Sequence, residues 1–264
     1  MQSRYYSVLL VVLLVVPCAS AQDTEPLASP YFEPDSLVSS YSVTPSDPRA
    51  PDTSYYYHHE PWPLPVGRNV ITAGLLLTML PGPLVEDEIP VPAVELQLRR
   101  GLAPNISMIA SISTNVVSTI ANLGAQWNAR EGRFSWGVGA NALGFLGWLS
   151  IEGQFDNNVA FAIAVLPYLK AGFRFDDFSV SSTFAASYSL YAGSDIADSK
   201  TEGPTGSWND FYYAIAFEQP FLSTMRVSFG MSVMFSRTPY QSWITYNTID
   251  QYMFLPSFFF GIQV

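Results

Sequence analysis

The stretch from Leu222 to Ser236 alternates between two kinds of side chain with a period of two residues. One set is apolar and comprises Met225, Val227, Phe229, Met231, Val233 and Phe235. The other set is small or polar, apart from Met234, and includes Thr224, Arg226, Ser228, Gly230, Ser232 and Ser236. A β-strand sends alternate side chains to opposite faces, so this pattern predicts a strand with one apolar face. A transmembrane β-barrel needs such strands repeatedly, because lipid contacts its outside and water or polar groups fill its inside.

The first 21 residues have the organisation of a secretory signal peptide. Arg4 precedes an apolar run from Val8 to Val16, and Ala19-Ser20-Ala21 follows it, which predicts cleavage before Gln22. The rival interpretation is a lipoprotein signal acylated at Cys18, but Pro17 stands where a small residue is usual. Cleavage after Ala21 removes the one cysteine of the chain, so the mature protein has neither a disulfide framework nor a thiol nucleophile.

Composition fits the same class of fold. Charged residues make up 13% of the 264 residues, against roughly 25% in soluble domains, while 48% are hydrophobic. Outside the N-terminus no apolar run reaches the roughly 18 residues that a membrane-spanning helix needs. The net charge of −10 excludes a basic nucleic-acid footprint.

Residues 22–67 are rich in Pro, Ser, Asp and Tyr, which predicts an extended or disordered periplasmic arm rather than a folded domain. An alternative is that this aromatic arm folds back and partly plugs the barrel. Within it, His58 and His59 could contact a metal, but neighbours in an extended chain point opposite ways and no third ligand is nearby. We therefore expect no metal site there.

Residues 68–264 repeat the alternating pattern about ten times, which predicts an all-β fold: an antiparallel up-and-down transmembrane barrel. Links after the second, fourth, sixth and eighth strands are short, and those after the first, fifth, seventh and ninth are longer. The longer links include polar loops at 152–157, 193–208 and 237–251, and Glu218 falls in a predicted turn. Short turns at one end and long loops at the other are typical of periplasmic and extracellular edges, so both termini are expected in the periplasm.

Aromatic residues fall at two levels along the strands, as in the interfacial girdles of a barrel in lipid. One level lies beside the short turns and the other towards the long loops; the residues are Trp127, Phe134, Phe175, Phe178 and Phe217, and then Trp148, Tyr188, Phe211, Tyr213, Phe235 and Tyr252. A soluble β-sandwich also alternates, but its aromatic residues would gather in a core and its outer faces would carry more Lys and Glu.

With its signal peptide, dyad strands, girdles and C-terminal strand, the chain resembles small bacterial outer-membrane β-barrel proteins over residues 69–264. The resemblance implies a Gram-negative outer membrane, contact with lipid and lipopolysaccharide, and recognition by the barrel-assembly machinery. The alternating Phe258, Phe260, Ile262 and Val264 match the terminal signal of that class, although its last residue is often Phe. The acidic loop residues could bind cations that bridge to lipopolysaccharide, but they lack calcium-loop spacing and simple solvation is expected; they are Glu86, Asp87, Glu88, Glu152, Asp156, Asp195 and Asp198.

Enzymatic chemistry is not expected. Some outer-membrane barrels of similar size are enzymes, but they generally need a histidine in the barrel or its loops, and the two histidines here precede the barrel. No cofactor or nucleotide motif appears, and the glycine-rich residues 137–144 lie inside a predicted strand.

Five charged side chains are predicted to face the barrel interior: Glu95, Arg99, Lys170, Arg174 and Arg226. Their basic excess favours a narrow pore for small polar or anionic solutes. Alternatively they pair internally and close the lumen, which would leave a structural, adhesion or partner-binding barrel that acts through its extracellular loops.

Overall fold

The computed structural model of the chain describes residues 56–80, 89–115, 117–151, 155–196, 199–202, 205–222, 225–237 and 252–264. The signal peptide and the arm up to residue 55 lie outside the described residues, as do the acidic residues 86–88 and the loop 238–251. In the described ranges no helix is long and apolar enough to cross a membrane.

The described residues form eleven β-strands. They are β1 Asn69–Leu80, β2 Ile89–Ala103, β3 Ile106–Thr114, β4 Ser118–Glu131, β5 Phe134–Ile151, β6 Phe155–Arg174, β7 Ser179–Ile196, β8 Ser199–Glu202, β9 Ser207–Pro220, β10 Arg226–Ser236 and β11 Met253–Gln263. Ten of them close into an antiparallel up-and-down barrel, in which β1 pairs with both β2 and β11. The short β8 pairs with residues 193–196 at the end of β7 and is not one of the ten barrel strands. The predicted fold is confirmed.

The links divide between the two ends of the barrel. Pro104 and Asn105 join β2 to β3, and Gly132 and Arg133 join β4 to β5, with Asn105 at φ 65° and Gly132 at φ 58°. Such left-handed backbone conformations suit Asn and Gly in tight hairpins. We call this the short-turn end; it also holds the start of β1 and the end of β11. The opposite edge is the long-loop end.

Three boundaries differ from the sequence prediction. The predicted loop 193–208 is largely strand, because β7 runs to Ile196 and β8 and β9 occupy much of the rest. The predicted loop 152–157 is shorter, since β6 begins at Phe155. Glu218, assigned to a turn, lies in β9. Sheet hydrogen bonds join backbone groups, so strands continue through polar sequence once they leave the apolar belt.

The two faces of the wall differ as the alternation predicts. Leu123, Leu169 and Met231 are 52–58% exposed on the outer face. Ser135, Ser179 and Ser228 are buried on the inner face. A wall that exposes its large apolar side chains and buries its serines matches a barrel surrounded by lipid.

The residues of the predicted girdles lie on the outer face. All are exposed except Tyr188, which is half-buried and packs edge-on against Trp208 at 5.3 Å between ring centroids. Phe175 and Phe178 stack at 4.3 Å beside the β6–β7 turn, and Phe217 stacks on Phe229 at 5.4 Å. Their depth in a bilayer stays a prediction.

A charged substitution on the outer face should destabilise the barrel more when it lies deeper in the bilayer. In lipid vesicles, Met231→Arg at mid-strand should lower the free energy of unfolding by about 2–4 kcal/mol, whereas Phe221→Arg at the β9–β10 turn should cost about 0–1 kcal/mol. Urea unfolding followed by tryptophan fluorescence measures both. Equal costs at the two positions would contradict a lipid-facing mid-strand.

Candidate functional site

The barrel interior contains a stretch of chain that precedes the first strand. Residues 56–66, here called the inner segment, lie inside the short-turn end and lead through Gly67 and Arg68 into β1. Tyr57, Trp62 and Leu64 are each 2–3% exposed. The described end of the arm therefore lies inside the barrel, whereas the prediction for residues 22–55 of the arm lies outside the described residues.

Arg99 of β2 holds the inner segment by its carbonyl groups. Its guanidinium donates hydrogen bonds to the carbonyl oxygens of Tyr57, Glu60 and Trp62, the first at 3.1 Å, and also to the Asn128 side chain at 3.3 Å. The side chain is 1% exposed. Guanidinium donors form a rigid planar fork, so one residue fixes three backbone carbonyl groups at once.

Glu218 of β9 holds the same segment by its amide groups. Its carboxylate accepts hydrogen bonds from the backbone N–H groups of His58 at 2.8 Å, of His59 at 3.0 and 3.1 Å, and of Glu60 at 3.0 Å. Hydrogen bonds to a charged group contribute about 1.5–3 kcal/mol each, more than neutral ones. Three successive amides on one carboxylate are therefore a strong local restraint.

A buried ion pair completes the attachment. Arg174 of β6 binds the carboxylate of Glu60 with Nε at 3.0 and 3.2 Å and also through its terminal nitrogen, and both side chains are at most 3% exposed. The same guanidinium lies 4.1 Å from the ring of Trp62, which Arg130 approaches at 4.7 Å. Arg174 thus contributes a charge-assisted pair and a cation–π contact to one small region.

Wall glycines make room for the segment. A Cβ atom at Gly101 would overlap the carbonyl oxygen of Pro65, and one at Gly172 would lie 2.9 Å from Cδ of Pro61. Gly137 is similarly close to Pro61, at 3.1 Å from its Cβ. These strand glycines therefore let the backbone and prolines of the inner segment lie directly against the sheet.

Above the inner segment the lumen opens into a cavity of about 290 Å³, which we call the chamber. His58 and His59 contribute to its floor at the short-turn side. Its polar wall contains Glu95, Gln97, Asn122, Asn141, Tyr168, Lys170, Asp210 and Tyr212. Its apolar wall contains Ile109, Ile120, Leu143, Leu166 and Met234. Met234, the one exception to the alternation of its strand, therefore lines the chamber.

Burial shifts the pKa values of His58, His59 and Glu60 in the inner segment, because it disfavours the charged form of each group. Burial lowers the pKa of His58 well below its ordinary value and that of His59 to about 3, and the neighbouring Lys170 and Arg99 lower both further. Burial also raises the pKa of Glu60, against the opposing hydrogen bond and charge of Arg174. Both imidazoles are consequently neutral near pH 7. Across the ranges that the structure describes, no group of three or more His, Cys, Asp or Glu could hold a metal ion.

The five charges that the sequence places inside the barrel occupy two levels. Arg99 and Arg174 hold the inner segment, and Glu95 and Lys170 line the chamber. Arg226 lies on the inward side of β10, near enough to Tyr57 to influence it electrostatically. The structure therefore divides these charges between those near the inner segment and those that line the chamber. The alternation within single strands does not reveal this division.

Sequence reasoning missed Glu60 and Glu218, the acids on which the attachment depends. Glu218 has the same strand parity as Tyr212, Ala214 and Ala216. Extending the alternation of residues 211–217 by one residue would therefore have placed Glu218 inside the barrel. Glu60 carries no such signal, since the arm has no period. Its partner Arg174 is 114 residues away in the chain.

The closed barrel, its apolar outer face and its polar interior define a small outer-membrane β-barrel protein. No family model and no curated protein matches the chain. Among solved structures it is similar to one described as "KdgM porin", at 10% identity and a TM-score of 0.38, covering 73% of this chain and 97% of that one. It is also similar to Neisserial surface protein A, at 10% identity and 0.34, covering 74% and 96%. A third is the "CymD monoaromatic hydrocarbon channel", at 9% identity and 0.35, covering 76% and 88%.

Adding a side chain at a wall glycine that contacts the inner segment should loosen the packing of that segment. Leu64 is 3% exposed, so a cysteine introduced there by Leu64→Cys reports on release of the inner segment through its rate of thiol labelling. In this background, Gly101→Ala should destabilise the bound position of the segment by about 1–3 kcal/mol and speed labelling about fivefold or more. Gly144→Ala is the matched control, because a Cβ there meets no atom within 4 Å. Equal labelling in the two variants would show that the segment does not lie against Gly101.

The Arg174–Glu60 pair should show coupling. In the same Leu64→Cys background, Arg174→Met alone leaves the Glu60 carboxylate buried without its partner, which costs about 3–5 kcal/mol. Adding Glu60→Met removes that charge, so the double variant should label more slowly than the Arg174→Met variant. Additive effects of the two substitutions would contradict a direct pair.

Proposed function

We propose that this outer-membrane barrel is a narrow channel for small polar or anionic solutes and that the inner segment holds it closed at the short-turn end. The observation that carries the proposal is the pairing of the wall's charged side chains with the inner segment. Arg99, Arg174 and Glu218 all have partners in residues 57–62. The attachment is thus made to a part of the chain that is not itself part of the wall.

This pairing favours a gate over a permanently filled scaffold. A scaffold can close its lumen with ion pairs between neighbouring strands, and such pairs separate only if the barrel unfolds. Here the segment can withdraw while every sheet hydrogen bond of the barrel stays in place. The charges it leaves behind would then face water in the lumen, which offsets much of the cost of separating them.

The expected solute preference follows from the charges that remain after withdrawal. Glu60 leaves with the segment, so Arg99, Arg174 and Arg226 remain near the short-turn end opposite Glu218. A constriction with excess positive charge favours anions. A ten-stranded barrel has a narrow lumen, which restricts passage to small solutes.

The proposed orientation places the short-turn end and both termini in the periplasm, because short turns are typical of that edge. The inner segment would then close the periplasmic mouth, and the chamber would communicate with the long-loop, extracellular side. The outer face would contact lipid and lipopolysaccharide, and β11 would carry the signal for the assembly machinery.

Single-channel recording in planar bilayers tests the gate. A protein that lacks residues 22–55 keeps the inner segment and should conduct as rarely as the mature chain, whereas one that lacks residues 22–66 should show long, anion-preferring openings. Arg99→Gln in the shorter protein should shift the reversal potential towards cation preference, since it removes a positive charge from the constriction.

Absence of conductance from both truncated proteins, each shown to be folded by its heat-modifiable mobility on gels, would contradict the channel. The barrel would then act through its loops without conducting. Equal conductance of the two truncated proteins would contradict the gate.

A further inference from the structure

Two opposite charges line the chamber, and neither belongs to an ion pair within the part of the chain that the structure describes. Glu95 of β2 and Lys170 of β6 both line it. The ion pairs Arg133–Asp176 and Arg174–Glu60 of the described residues include neither Glu95 nor Lys170. Glu218 interacts electrostatically with Lys170, but its carboxylate already accepts hydrogen bonds from amides of the inner segment. Charges withdrawn from bulk water without a partner are costly, so a ligand that neutralises them is favoured.

The two charges lie on different sides of the chamber. Going round the ring, β2 and β6 are separated by β3, β4 and β5, so the two strands face each other across much of the ten-stranded lumen. A ligand that satisfies both must carry a positive group towards β2 and a negative group towards β6.

The polar atoms next to each charge suit opposite ends of such a ligand. On the Glu95 side, the amide oxygen of Gln97, two residues further along β2, is a buried acceptor without a hydrogen-bond partner in the described structure. The equally unpartnered amide oxygens of Asn122 and Asn141 lie on β4 and β5, between the two sides. On the Lys170 side, the hydroxyl of Tyr168 is also without a partner, on a side chain that is 6% exposed, and Lys170 Nζ lies 5.6 Å from that ring. Acceptors beside a carboxylate suit an ammonium group, and donors beside an ammonium suit a carboxylate.

The rest of the wall suits an apolar body. Ile109, Ile120, Leu143 and Leu166 line the chamber between the two polar sides. A volume of about 290 Å³ accommodates a molecule no larger than a large amino acid or a short peptide.

We propose that the chamber binds a small zwitterion with an apolar side chain, of the amino acid or short peptide class, with its ammonium at Glu95 and its carboxylate at Lys170. This inference rests on the proposed function only for passage of the solute. Binding occurs in the closed barrel and is measured without conduction, so failure of the channel and failure of the site are distinguishable.

Calorimetric titration of the folded mature protein in detergent tests the site. The probes are phenylalanine, leucyl-glycine and 5-aminopentanoate, which separate ammonium from carboxylate by increasing lengths. Each is compared with its N-acetyl derivative, which lacks the ammonium, and its carboxamide, which lacks the carboxylate. At least one zwitterion should bind, and each derivative should bind about tenfold more weakly than its parent, since each loses one charge-assisted contact.

Two wall variants assign the ends of the ligand. Glu95→Gln should weaken the zwitterion about tenfold and leave the N-acetyl derivative unchanged, while Lys170→Gln should weaken the zwitterion equally and leave the carboxamide unchanged. Glu202→Gln and Lys200→Gln in β8 are matched controls outside the chamber and should change nothing. No binding by any of the three zwitterions, tighter binding by a singly charged derivative, or full affinity in both wall variants would overturn the proposal.

Discussion

The backbone N–H and C=O groups of a buried segment need hydrogen-bond partners, even when the segment is not part of a sheet. This requirement organises the interior of the barrel. The inner segment crosses the short-turn end without joining the wall, so its N–H and C=O groups cannot be satisfied by a neighbouring strand. Glu218 accepts hydrogen bonds from three successive amides, and Arg99 donates to three carbonyl groups between residues 57 and 62. The wall charges thus replace the hydrogen bonds that a strand would have supplied.

That solution links stability to reversibility. An apolar plug would be held by burial and would expose apolar surface to a wet lumen on leaving. The charged contacts here are strong while water is excluded and become hydrated when the segment moves. The inner segment packs so closely on Gly101 and Gly172 that adding one methyl group at either position disturbs the packing, and this makes the fit of the segment specific. The same arrangement leaves the chamber with its own charges, Glu95 and Lys170, outside the attachment.

Much of the barrel could be predicted from the sequence because a period of two is a local property. Each strand reports its own faces, so the inward direction of Lys170 and the outward direction of Met231 follow from parity alone. The ends of strands were predicted less well. Glu218, Ser194 and Asp195 are polar, and polar residues in a strand that has left the lipid resemble those of a loop.

Whether the arm enters the barrel stayed open at the level of the sequence, because the position of the inner segment depends on partners distant in the chain. His58 bonds to a residue 160 positions away, and Arg99 reaches a carbonyl 42 positions away. The prolines on either side of Trp62 indicate extended chain but not its location. Nothing local distinguishes an arm that is free in solution from one that enters a lumen lined with charges.

Amide hydrogen exchange of residues 58–60 in the folded mature protein tests this account most directly, because these are the groups that Glu218 binds. The account predicts that their amides exchange as slowly as those of the barrel strands and that Glu218→Ala raises their exchange by orders of magnitude while the strands stay protected. Exchange of these amides at the rate of an unstructured chain in the unmodified protein would contradict it.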